Sequence, residues 1–139
     1  MRILVPVLVL LATAAAGCGG GDAAPAGPPL AWEAITRVQG HRVAWSAPEG
    51  GLPLNEEFTV PVQVTAADGT PLEGAAVEFQ AEMPGHGHGM LRQPRTVEEG
   101  GGRYRVDGVL LHMEGDWVVH LDVIAGGVAD RASFEVRVE

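Results

Sequence analysis

Met83-Pro84-Gly85-His86-Gly87-His88-Gly89-Met90 is the part of this 139-residue chain richest in side chains that can do chemistry. It holds two of the five histidines and, leaving Met1 aside, two of the three remaining methionines, with glycines and a proline between them. Glycine lets a backbone fold tightly, so imidazoles and thioethers spaced this way can converge on one ion. Thioether with imidazole favours Cu(I), whereas imidazole alone also accepts Cu(II), Ni(II) or Zn(II). Zinc is the poorer fit, because no cysteine or obvious third histidine lies nearby in the sequence. His112 and Met113 form a second His/Met pair. Plain readings stand beside the metal reading. Met83 continues an inward-facing run, Met113 precedes a turn and would cap a core, and the His-Gly-His-Gly run would serve equally as a surface loop.

The rest of the inventory excludes more than it suggests. All nine basic residues are arginine, so there is no lysine for Schiff-base or general-base work. The serines are Ser46 and Ser133, both inside strand-like runs, and the single cysteine is Cys18. Adjacent carboxylates at Glu56-Glu57 and Glu98-Glu99 would point to opposite faces of a strand and so would not share a proton. The expectation is a chain that is not an enzyme. With 18 acidic residues the formal charge is −9. Phosphate binding needs a basic face, so nucleic acid is not an expected partner.

The elements that must position these groups are strands. Phe58, Val60, Val62 and Val64 alternate with polar residues, as do Val77, Phe79, Ala81 and Met83, and this period of two marks a strand with one buried face. Pro61, on the polar side, suggests an edge or a bulge. Tyr104 and Val106, then Trp117, Val119, Leu121 and Val123, then Phe134, Val136 and Val138, continue the pattern between glycine-rich turns. With strands near Arg42–Ser46 and Arg95–Glu98, the sequence predicts about seven strands in roughly 100 residues, an all-β immunoglobulin-like sandwich. Leu30–Val38 is expected to form at most a short turn. Alternate loops of an up-and-down series emerge at one end, so the loop after Met83 should face the loop carrying His112 and Met113. By the same parity His41 starts a strand at the opposite end, and His120 falls mid-strand on the outer face.

The N-terminus reads as a targeting segment. Arg2 precedes an apolar run that ends in Ala14-Ala15-Ala16-Gly17, too short to span a bilayer. Ala15-Ala16-Gly17-Cys18 resembles the lipobox of bacterial lipoproteins, with Ala15 where leucine is usual, and the resemblance implies lipidation of Cys18. A lone cysteine in an exported chain has no disulfide partner, which fits this role. The expected organisation is a signal peptide over 1–17, Cys18 with a Gly/Ala/Pro-rich tether to residue 31, and a folded domain over 32–139. That places the protein in the cell envelope, lipid-anchored on the outer side of the cytoplasmic membrane or in the periplasm.

The Met83–Met90 run, Gly102-Arg103-Tyr104 and Met113-Glu114-Gly115-Asp116-Trp117 together resemble the YtkA-like domain, related to FixH-type proteins. The resemblance covers roughly residues 56–123. It implies an immunoglobulin-like sandwich in exported or membrane-tethered bacterial proteins associated with copper handling or respiratory oxidase assembly, with no catalytic activity. Met83, His86, His88, Met90 and Met113 are the ligand positions it carries over, whereas His112 rests on loop parity. Family members commonly carry methionine where His86 stands, which bears on the metal preferred. Two functions follow as expectations. One is a copper-binding lipoprotein for buffering, delivery or oxidase assembly, with a copper-dependent protein as partner. The other is an interaction module without metal.

Overall fold

The computed structural model describes residues 32–139, and the regular structure among them is strand throughout. The signal segment over 1–17, Cys18 and the tether to residue 31 lie outside the described residues. The strands are β1 (Trp32–Ile35), β2 (Arg42–Trp45), β3 (Glu57–Thr65), β4 (Ala76–Met83), β5 (His88–Gly89), β6 (Arg95–Gly100), β7 (Arg103–Leu110), β8 (Gly115–Ala125) and β9 (Val128–Val138). They form two antiparallel sheets, in the orders β1-β2-β3-β7-β6 and β5-β4-β8-β9. This is the all-β, immunoglobulin-like sandwich that the alternation predicts.

The core follows from that alternation. Phe58, Val60, Val62 and Val64 of one sheet are buried, as are Val77, Phe79, Ala81 and Met83 and Trp117, Val119, Leu121 and Val123 of the other. Because side chains alternate across a strand, each run delivers one apolar face and leaves the other wet. Trp45 lies at the centre, edge-on to Phe79 and Phe134 at centroid distances of 6.0 and 5.9 Å. The Tyr104 hydroxyl donates to the Leu72 carbonyl at 2.9 Å and accepts from the Ala75 amide at 3.3 Å, so its ring is buried while its polar tip is satisfied.

Three features depart from the periodicity. Trp32–Ile35, expected as at most a turn, is β1; it pairs with β2, and Trp32 stacks on Trp45 at 4.3 Å. The hairpin inside the histidine run adds β5, which brings the count among the described residues to nine rather than about seven. The third feature lies where Phe58 pairs with Val109 but Val60 pairs with Val106. Thr59 therefore opposes both Asp107 and Gly108, and Gly108 takes φ +79. That is a β-bulge with glycine supplying the left-handed conformation. Its consequence is a change of phase: Tyr104 and Val106 face inward, and beyond the bulge so do Val109 and Leu111. Pro61 sits close to this bulge, on an interior strand and one residue outside the stretch paired with β2.

Candidate functional site

The histidine run is a closed hairpin. Met83 pairs with His88 and Glu82 with Gly89, so β5 folds directly back on β4. The amides of His86 and Gly87 both donate to the Met83 carbonyl, at 3.0 and 2.9 Å, and the Met90 amide donates to the Ala81 carbonyl at 3.0 Å. Pro84, Gly85, His86 and Gly87 make the exposed tip, and His88 is half-buried behind it.

The second loop arrives from β7. Once the Gly108 bulge has turned Leu111 into the core, His112 and Met113 follow at the same end of the sandwich as the hairpin. Leu111 is held there by a bridge to Leu54 and by its carbonyl, which accepts from the Asn55 amide at 2.8 Å. Trp117, 1% exposed, fixes the turn from below, with its indole Nε1 donating to the Met113 carbonyl at 2.9 Å. Its ring stands edge-to-face with both imidazoles, 6.1 Å from His88 and 5.6 Å from His112.

The rings of His88 and His112 are thereby 5.2 Å apart, and those of His86 and His88 are 5.8 Å apart. A metal–nitrogen bond of about 2 Å places two imidazoles sharing one ion at centroid separations of roughly 5 to 6 Å. Both pairs fall in that range. The lone pairs suit it as well. His88 Nδ1 lies 3.2 Å from the Gly89 carbonyl, which can only accept, so the neutral ring donates from Nδ1 and leaves Nε2 free as a ligand. His112 Nδ1 is buried without a hydrogen-bond partner, and a buried polar atom in that condition is costly unless something else satisfies it. Among the described residues, no group of three or more His, Cys, Asp or Glu converges as a metal cluster, so a third donor would come from outside those types, a thioether for example.

The methionines occupy different depths. Met83 is 1% exposed and belongs to the core, with its Cε so close to Gly115 that a Cβ there would lie 3.0 Å away. Met90 and Met113 are partly buried and pack against the core from the loop side. His41 precedes Arg42, which pairs with Thr65 at the far end of the sandwich. It is buried there, with Nε2 3.0 Å from Gln39 Oε1.

Sequence reasoning missed two arrangements. It took Trp117 as core alone, although the indole also holds the His112 loop. It also read His120 as a plain surface residue. On the outer face of β8, His120 Nδ1 is 2.8 Å from Ser133 Oγ and Nε2 is 3.1 Å from Glu82 Oε1. The cross-strand pairing of His120 with Ser133 produces this chain, which links β4, β8 and β9. Serine, histidine and carboxylate stand in the order that activates a nucleophile, with Ser133 on the edge strand β9.

A family model described as YtkA-like matches residues 42–122, more than half of the chain and including both loops. The chain belongs to the YtkA-like family. A solved structure with a similar fold is a DUF4426 family protein from Pseudomonas aeruginosa, with a TM-score of 0.53 and 22% identity over 76% of this chain and 94% of that one. At that identity the likeness concerns the fold. No curated protein matches the sequence. The short motifs of this YtkA-like domain have visible structural work. Tyr104 anchors to Leu72, Gly115 makes room for Met83, and Trp117 ties down Met113.

Proposed function

We propose that this YtkA-like protein is an exported, lipid-anchored module that binds copper outside the cytoplasm for buffering, delivery or oxidase assembly, and that it catalyses no reaction. The observation that carries the reading is the approach of His88 and His112, 5.2 Å apart although they come from loops remote in sequence, with His112 Nδ1 buried and unpartnered. His86 and His88 make a second pair, 5.8 Å apart, as an alternative to the first. Met90 and Met113 supply soft donors at the rim, which favours Cu(I) over harder ions. Met83 is the remaining thioether and would join only by leaving the core.

The test is titration of the purified protein with Cu(I) under reducing conditions. Trp117 stands against both imidazoles, so binding should quench its fluorescence. His88→Ala and His112→Ala should weaken binding sharply, single Met90 or Met113 variants less, and His41→Ala not at all. Protons compete with metal for imidazole, so affinity should also fall as the pH is lowered. A parent protein that binds no metal would favour the other reading, an interaction module. The exposed Leu91 and the wholly core position of Met83 favour that second reading.

A further inference from the structure

The three imidazoles form a row, and their surroundings differ along it. His88 is the ring shared by both close pairs, 5.8 Å from His86 and 5.2 Å from His112. Among the described residues no three imidazole, carboxylate or thiol groups converge as a metal cluster, and both close pairs share His88. His86 is exposed at the hairpin tip, His88 is half-buried, and His112 carries a fully buried, unpartnered Nδ1. His86 also lines a cleft of about 810 Å³ whose wall includes Asp116, Glu135 and Arg137, with Asp116 paired to Arg137 at 2.7 Å. Glu135 is the carboxylate that this pair leaves to attract a cation.

Building on the proposed copper binding, we propose that the row is a two-station path for a soft monovalent cation of the Cu(I) class. The outer pair His86/His88 captures the ion from the cleft, and the inner pair His88/His112 holds it. Transfer is a single ligand exchange: a nitrogen of His112 bonds to the ion as the nitrogen of His86 leaves, while His88 remains bound throughout. Neither charge nor oxidation state changes. His88 suits the pivot because β5 pairing and its Nδ1 contact with Gly89 fix the ring, whereas His86 rides on the tip. His86 therefore governs how fast the ion enters and leaves, and His112 governs how tightly it is held.

The experiment is stopped-flow exchange of Cu(I) between the full-length protein and a coloured Cu(I) chelator, alongside equilibrium competition with the same chelator. His86→Ala should slow capture and release together by about tenfold, with affinity nearly unchanged, because both directions use the same exchange step. His112→Ala should lower affinity by about tenfold or more while early capture stays fast. His86→Met, which restores a soft donor at the tip, should recover the rate. Near-ultraviolet circular dichroism from Trp117 reports whether each variant keeps its fold. If His86→Ala loses affinity as severely as His88→Ala, the three rings act as one site and the path is wrong. If rate and affinity are both untouched, His86 has no part in it. A parent that binds no Cu(I) removes the metal reading and this path together, and is distinguishable from both.

Discussion

At the scale of single residues, Trp117 joins packing to chemistry. Its ring is buried between the sheets, and its one polar atom leaves the core to hold the Met113 carbonyl. Indole is suited to this because a large apolar body carries a single donor at its edge. The two contributions can be separated. Trp117→Ala leaves a large cavity and should cost about 3 to 5 kcal/mol in urea unfolding. Trp117→Phe keeps much of the ring and removes the donor, so it should cost less, with about 1 kcal/mol traceable to the lost hydrogen bond. The phenylalanine variant should also loosen the His112 loop, visible as faster amide exchange at His112 and Met113. Equal stability of the alanine variant and the parent would remove Trp117 from the core.

At the scale of elements, the joint between β3 and β7 shows which parts of the design a sequence reveals. Gly102 opens β7 at φ +71, and a Cβ there would lie 2.4 Å from the Val64 carbonyl oxygen and 3.0 Å from the Leu72 amide. Backbone atoms cannot step aside as a flexible side chain would. Gly102→Ala should therefore cost roughly 3 kcal/mol, measured as a fall in denaturation midpoint, and an unchanged midpoint would contradict this packing. The long strands β3, β4, β8 and β9 were legible because each buries one face over many residues. The strand β1 was not, since four residues carry little periodicity and it is held by Trp32 stacking on Trp45, a contact between strands. The Gly108 bulge was also hidden. Nothing local to Asp107-Gly108 says that one residue of β3 opposes two of β7, yet that shift turns Leu111 inward and sets where His112 begins. Loop parity was enough to bring the two histidine loops to one end, because the two-residue β5 that it left out is too short to cross the sandwich. The row of rings and their graded exposure depend on side-chain packing around Trp117, which no spacing encodes.

At the scale of the whole molecule, the two sheets are tied together at the end opposite the histidines. The Asp130 carboxylate of β9, 3% exposed, accepts from the amides of Val38 and Gln39, which lie just beyond β1. Burial alone would raise its pKa, but the Gln39 amide, the Thr36 hydroxyl and the Val38 and Arg37 amides outweigh burial and hold it below the ordinary 3.8. The unfolded chain thus takes up this proton at a higher pH than the folded one. The contribution is complete above the ordinary carboxylate range and is lost as pH falls through the lowered value. Asp130→Asn should be less stable near neutrality by about 2 kcal/mol, with a flatter loss of stability in acid. A parallel pH profile for parent and variant would show that the carboxylate carries none of it. The proposed lipid anchor belongs to the same scale. A chain with 18 acidic and nine basic residues gains no electrostatic hold on an anionic membrane surface, so the proposed membrane attachment needs another source. Two acyl chains on Cys18 would supply it, because stable anchoring takes more than a single chain. Mass spectrometry of the mature protein should find an acylated cysteine at its N-terminus. The parent should partition into detergent and Cys18→Ala into the aqueous phase. Both should unfold at the same denaturant concentration, because the core among the described residues is built from residues 43–138. An unmodified thiol at position 18 in membrane-derived material would overturn the anchor and leave the domain's attachment to be sought elsewhere.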